Sequence, residues 1–356
     1  MRVQPVPPLP RPVHELDFGP LAVLVKSAFL AEPLSVSSMP GGASTRRYFR
    51  VELAATPGSA VAMFVPDGAH PEEVAKDGAA SSPRWPFLEV RDLLAARGVD
   101  VPALYGEDTA RGWVLLEDLG DDTLANCLAS RPDRREELYV RAVRDLAAAQ
   151  ASLAALPPSS IVASRAFDEE LLSWELHHFR EWALEARGIQ LPPGDRALFD
   201  AVAERLARRI AQWPRAFVHR DYQSRNLMVR RAGGLCWIDF QDALLGPRVY
   251  DLVALLNDSY QVFDREFVDA RLDDYARARS LGASERESLG REFDLVTVQR
   301  KLKDAGRFVF IDRVKGNASF LRFVEPTIAK ARASLARLED DPDMRALGDM
   351  LARLLR

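Results

Sequence analysis

The chain has 356 residues, 47% of them hydrophobic and 28% charged, with 48 basic side chains against 52 acidic ones and a formal net charge of −4. That balance supplies no positive face for a dedicated nucleic-acid binder, no apolar run approaches the roughly 18 residues of a membrane span, and two cysteines rule out a disulfide scaffold or a Cys-rich zinc site. Such a length fits two or three domains, or two lobes sharing one site. Only six of the basic residues are lysine, so the chain relies on arginine for positive charge.

The first 15 residues carry five prolines and read as a polyproline arm rather than a signal peptide, which makes the cytoplasm the expected compartment. From Leu16 to Lys26 the apolar spacing suits a short helix. Gly41-Gly42 then punctuates the chain, and the aromatic and branched runs 48–53 and 60–65 predict antiparallel strands. The Pro- and Gly-rich stretch 66–86 is irregular. Phe87, Val90, Leu93 and Leu94 give the next segment helical spacing with Gly98 as its stop. Two more strands are expected over 99–108 and 111–120. Beyond Gly120 the composition turns to long amphipathic helices, interrupted by one β insert whose strands are expected at 216–218, 227–229 and 235–238, with Ala232-Gly233-Gly234 as the turn. From Val249 onward the pattern is helical. The fold class expected is therefore α+β and bilobal: a Pro-rich arm over 1–15, a small lobe of antiparallel sheet over 16–117, and a mainly helical large lobe with a short β insert over 118–356.

The chemistry concentrates in His219-Arg220-Asp221-Tyr222-Gln223-Ser224-Arg225-Asn226. It fits H-R-D-x-x-x-x-N, the catalytic loop of kinase-fold enzymes. Asp221 must reach an acceptor hydroxyl as base and orienting group, while Asn226 turns back to a metal held by phosphates. Four intervening residues let both converge. Thirteen residues after Asn226, Asp239 closes an apolar strand as the expected metal carboxylate. His219 reads as a packed histidine that holds the loop, and Asp251 as a helix cap or loop brace. The adjacent His177 and His178 diverge by about 100° on a helix and cannot share a metal.

Around this core, FVHRDYQSRNLM, WIDFQDALLGPRVYDL, GGASTRRYFRV and VQRKLKDAGRF resemble the aminoglycoside phosphotransferase-like kinase family, and within it the bacterial cell-wall amino-sugar kinases, over residues 41–337. The resemblance implies a protein-kinase-like fold, ATP and Mg²⁺ as cofactors, and transfer of the γ-phosphoryl group to the anomeric hydroxyl of N-acetylmuramate or N-acetylglucosamine in peptidoglycan recycling. It makes Asp221, Asn226 and Asp239 catalytic, the last two as metal ligands. Gly41, Gly42, Ser44, Arg46 and Arg47 would cover the phosphates, and the backbone around Glu117 and Leu119 would bond the adenine edge. Gln223, Arg225, Asp242 and Lys301 are acceptor candidates, with Arg225 or Lys301 suited to a lactyl carboxylate. The partner expected is a small-molecule amino sugar, with no nucleic acid and no membrane, and the chain is expected to be a monomer.

One departure stands out. Where kinases place a lysine on the third strand, paired with a helix glutamate, this chain reads Val61-Ala62-Met63-Phe64, and Glu89 lacks that lysine. Arg46, Arg47 or Arg50 could replace it, Lys76 could fold back, or the chain could be a nucleotide binder without turnover. Retention of Asp221, Asn226 and Asp239 argues for turnover. A related kinase with an aminoglycoside or amino-alcohol acceptor is the other alternative, for which Asp242, Asp258, Glu266 and Asp269 offer negative charge.

Overall fold

The computed structural model describes residues 16–40, 45–66 and 84–355. Gly41, Gly42, Ser44, Lys76 and the Pro-rich arm lie outside them. Contacts divide the chain into two compact units, 1–78 with 102–120, and 79–101 with 121–356. The helix at Glu89, read by sequence as part of the small lobe, groups with the second unit.

The first unit is one helix on one sheet. Helix α1 (Gly19–Phe29) is followed by β1 (Pro33–Ser38), β2 (Arg47–Leu53), β3 (Ser59–Phe64), β4 (Leu104–Asp108) and β5 (Trp113–Glu117). The strands run in the order β1-β2-β3-β5-β4, every neighbouring pair antiparallel. Alternation decides the buried face: Phe49, Val51 and Leu53 point inward from β2, and Ala60 and Ala62 from β3, toward Leu21 and Val25 of α1. Trp113 anchors this core with Phe64 at 4.8 Å and Phe18 at 5.7 Å between ring centroids. The strand position where a lysine was sought is thus occupied by a packing aromatic.

The second unit contains α2 (Pro86–Ala96), α3 (Leu124–Ser130), α4 (Arg135–Ser152), α5 (Glu169–His178) and α6 (Pro193–Ala211), then β6 (Arg215–Val218), β7 (Leu227–Val229), β8 (Leu235–Trp237) and β9 (Leu244–Pro247). After these come α7 (Tyr250–Leu256), α8 (Arg265–Ala278), α9 (Ala283–Lys315), α10 (Val324–Arg337) and α11 (Pro342–Leu354). The β insert is two antiparallel pairs, β6 with β9 and β7 with β8. Strands β1 and β9 extend what the sequence predicts.

The 33-residue α9 is the axis of this unit, and from Phe293 to Gly306 it is buried on every side. A helix enclosed this way must pair each of its polar groups. Gly306 allows the packing, because a Cβ there would lie 2.7 Å from the His178 carbonyl oxygen, where α5 passes into a π-helical turn at Phe179–Leu184. Seating α9 this deeply brings Gln299, Arg300, Lys301, Lys303 and Asp304 into the interior.

Candidate active site

The hairpin β7–β8 sets the first part of the site. Its register pairs Leu227 with Trp237, and the Ile238 N–H donates to the Asn226 carbonyl at 3.0 Å, adding one more rung. Asn226 and Asp239 therefore flank the same end of the hairpin. Asp239 adopts φ +63°, a left-handed conformation that L-residues other than Asn and Asp seldom accept. Gln241 Nε2 bonds its Oδ1 at 3.1 Å and Asp242 Oδ2 at 2.9 Å, so one amide bridges both carboxylates.

The loop from β6 to β7 is tied down from several directions. Arg220 has φ +80°, a strained conformation for a side chain of its size. The fully buried Asp251 carboxylate accepts the backbone N–H groups of His219 (2.6 Å) and Arg220 (3.0 Å). Burial pushes the Asp251 carboxyl up to about 7, against the pull of these bonds and of Arg300. His219 is neutral, because burial pushes it down to about 4. Its Nε2 lies 3.0 Å from the Ile238 carbonyl and must donate, leaving Nδ1 to accept the Asp221 N–H at 3.3 Å. The histidine splices the loop to the strand before Asp239, and Asp251 is the brace. Asp251→Ala is expected to leave two buried N–H groups without acceptors, at about 1–3 kcal/mol each. A lowered urea midpoint with an unchanged slope would register that loss.

Asp221 sits at the open side of this scaffold, its side chain 38% exposed. Its carbonyl oxygen accepts Asn226 Nδ2 at 2.8 Å, which fixes the Asn226 amide on the loop. On the other side Arg300 of α9, fully buried, donates from Nη1 to the Arg220 carbonyl (2.6 Å) and from Nη2 to Asp221 Oδ1 (3.3 Å). The guanidinium lies 4.7 Å from the Tyr250 ring centroid.

The acceptor candidates separate. Arg225 is exposed on the catalytic loop, its guanidinium 3.6 Å from the Tyr260 ring centroid, and it makes no ion pair among the described residues. Lys301, by contrast, is 1% exposed and held by Asp304 at 2.6 Å. Burial pushes its ammonium down, opposed by Asp304. Gln223 donates its backbone N–H to the Asp221 carbonyl at 2.8 Å, which fixes its place in the loop turn beside Asp221. Asp258 is buried and accepts the Ser224 N–H at 3.0 Å, and Asp269 pairs with Arg265 at 2.7 Å, so both have partners within the protein.

In the first unit, the Arg50 guanidinium pairs with Asp118: Nη2 donates to Oδ1 at 3.2 Å, and Nε lies 2.8 Å from Oδ2 as an ion pair. Burial raises the Asp118 carboxyl, but bonds from Gly120, Ser59 and Arg50 leave it below its usual range. Arg47 lies 5.5 Å from the Phe49 ring centroid, and Arg46 precedes β2. Lys26 pairs with Glu32 at 2.6 Å on the surface. The Glu117 N–H donates to the Ala103 carbonyl and its carboxylate accepts the Ala103 N–H, so Glu117 closes the β4–β5 edge just before Leu119. Glu89 of α2 accepts the Ile161 N–H at 2.6 Å within the second unit. That bond gives the helix glutamate a backbone partner within the second unit.

Residues 35–287 match the phosphotransferase enzyme family. The chain belongs to that family. Relatives of this phosphotransferase include an N-acetylmuramate/N-acetylglucosamine kinase of Pseudomonas aeruginosa, 32% identical over 90% of this chain and 89% of that protein. A kinase of the same name from Neisseria meningitidis is 32% identical over 75% of each chain. Among solved structures, the choline kinase LicA of Streptococcus pneumoniae superposes with a TM-score of 0.58 at 15% identity, covering 88% of this chain and 98% of that one. The GDP complex of aminoglycoside 2′-phosphotransferase-IIIa superposes with a TM-score of 0.57 at 15% identity, over 89% and 98%. Those likenesses establish the fold: an antiparallel sheet followed by a mostly helical remainder, as the sequence predicts.

Sequence reasoning chose Lys301 and passed over Arg300, one residue away. On a helix that single step turns the side chain by about 100°, and a helix buried all round offers no periodicity to say which of the two faces the catalytic loop. The Ser224–Asp258, Arg225–Tyr260 and Glu89–Ile161 contacts were likewise hidden, since each joins segments far apart in the chain.

Proposed function

We propose that this phosphotransferase uses ATP and Mg²⁺ to phosphorylate the anomeric hydroxyl of N-acetylmuramate and N-acetylglucosamine, a salvage step for cell-wall amino sugars in the cytoplasm. The observation that carries the chemistry is the placement of Asn226 and Asp239 at one hairpin end, with the Asp221 backbone carbonyl bonded to the Asn226 amide. The acceptor is proposed from the names of the relatives.

The donor set suits magnesium. Asn226 Oδ1 and the Asp239 carboxylate are hard oxygen ligands, and two protein ligands are what Mg²⁺ needs when phosphates and water complete its shell. Bound there, the ion would neutralise charge on the transferring phosphoryl group. The protein's own part is positioning: Asp221 orients the acceptor hydroxyl and takes its proton, on a loop made rigid by Asp251, His219 and Asn226. Glu117 and Leu119 offer backbone groups to adenine, and Arg46 and Arg47 are proposed for the phosphates.

The two sugars differ by a lactyl ether bearing a carboxylate. Arg225, exposed and 3.6 Å from the Tyr260 ring centroid, suits that carboxylate better than the enclosed Lys301. Arg225→Met is expected to raise KM for N-acetylmuramate about 10- to 100-fold, the worth of a charge-assisted bond, and to leave N-acetylglucosamine within about twofold. Equal losses on both sugars would remove Arg225 from recognition. The reaction itself is tested by incubating the protein with ATP, Mg²⁺ and each sugar, with kanamycin and choline as rivals, and locating the phosphate by ³¹P NMR. An anomeric phosphate is expected; a phosphate at the six-position, or on a rival acceptor alone, overturns the reading.

A further inference from the structure

We propose that Arg300 is a positioning residue for catalysis, holding the Asp221 carboxylate by one oxygen so that the other is presented to the acceptor hydroxyl. This rests on the reading that Asp221 addresses the acceptor.

A carboxylate on a loop can rotate, and a rotating carboxylate spends little of its time in the geometry that an in-line transfer needs. Arg300 removes that freedom from inside the fold. Nη2 takes Asp221 Oδ1 at 3.3 Å while Nη1 takes the Arg220 carbonyl at 2.6 Å, so one rigid fork grips the side chain and the peptide that precedes it. That peptide follows the residue at φ +80°, the most strained position of the loop. The guanidinium is in turn fixed by the Tyr250 ring at 4.7 Å and by Asp304 Oδ2, 3.8 Å from Nε. Asp304 also receives Lys301 at 2.6 Å and Lys303 at 3.3 Å. This compensates a cluster of charges that could not otherwise be enclosed in the middle of α9.

Burial and partial exposure divide the labour. Arg300 is fully enclosed and Asp221 is 38% exposed, so the arginine has no route to substrate and acts through the aspartate. Lysine cannot substitute: its ammonium is a single point of charge and lacks the planar fork that reaches a carbonyl and a carboxylate together.

The test uses the full chain with ATP, Mg²⁺ and N-acetylglucosamine. Arg300→Lys is expected to lower kcat about 10- to 100-fold while KM for sugar and for ATP stays within about twofold, the pattern of an interaction that matters in the transition state rather than in binding. Arg300→Gln, neutral and too short to reach either contact, takes its place if the lysine variant does not fold. Circular dichroism and a thermal melt establish folding. The deciding measurement is a double-mutant cycle: in the Asp221→Asn background the Arg300 substitution is expected to cost less than threefold more, because its effect passes through the carboxylate. A folded Arg300 variant with near-normal kcat overturns the proposal, as does a full further loss in the Asp221→Asn background, which is the mark of a merely structural role. If wild-type protein transfers no phosphate to either sugar, the acceptor reading fails. If Asp221→Asn retains its rate on a confirmed acceptor, the role of Asp221 fails, and that of Arg300 with it.

Discussion

Asp221→Asn is expected to lower kcat on an accepted amino sugar by about 10²–10⁴-fold, the range that a positioned general base contributes. The substitution is close to isosteric, and the surroundings predict why the fold should survive it. The Asp221 backbone is held independently of its side chain: the carbonyl accepts Asn226 Nδ2 at 2.8 Å and the Gln223 N–H at 2.8 Å, and the N–H donates to His219 Nδ1. What changes is one charge facing Arg300 and the capacity to take a proton from the acceptor. A side chain 38% exposed carries little packing energy, so the melting temperature should move by a few degrees at most. KM for ATP should stay near wild type, since the aspartate addresses the acceptor. Rates within about fivefold of wild type on an accepted sugar would remove Asp221 from the chemistry.

How much of this was legible in the sequence depends on how local each determinant is. The loop from His219 to Asn226 and the strand before Asp239 carry their spacing in the chain, and the hairpin register then brings their ends together. Strand β1 was not legible: Pro-Leu-Ser-Val-Ser-Ser lies at a sheet edge, mostly exposed, and lacks the alternation that marks a half-buried strand. Strand β9 ends in Gly246-Pro247, which reads as a turn, and becomes a strand because β6, some thirty residues earlier, pairs with it. The missing lysine was legible as an absence, but its structural counterpart was not. Phe64 fills the position by packing on Trp113, and Glu89 is engaged by the Ile161 N–H, a contact 72 residues away. Arg300 illustrates the same limit from the other side, since only the depth to which α9 is enclosed makes one of two adjacent cations a clamp and the other a partner of Asp304.

The other large effect is expected at Asp239, and there shape and charge can be separated. Asp239→Ala should abolish turnover, but it also places alanine at φ +63°, where an ordinary L-residue is disfavoured by about 1–2 kcal/mol. A loss of rate in that variant alone confounds metal binding with a shifted loop. Asp239→Asn keeps a side chain that tolerates the left-handed region and retains one oxygen for the Gln241 amide that now bonds Oδ1 at 3.1 Å. It removes the negative charge and with it the stronger hard-oxygen ligand. The expected result is a melting temperature close to wild type in Asp239→Asn and lowered in Asp239→Ala, with kcat down at least about 10³-fold in both. Magnesium titration at saturating ATP distinguishes the cause. In Asp239→Asn any residual rate should require several-fold more Mg²⁺ for half-saturation, because a neutral amide oxygen replaces the charged carboxylate at the ion. A residual rate with unchanged magnesium dependence would show that Asp239 shapes the loop without touching the ion, and the metal pair proposed at the hairpin end would then be wrong.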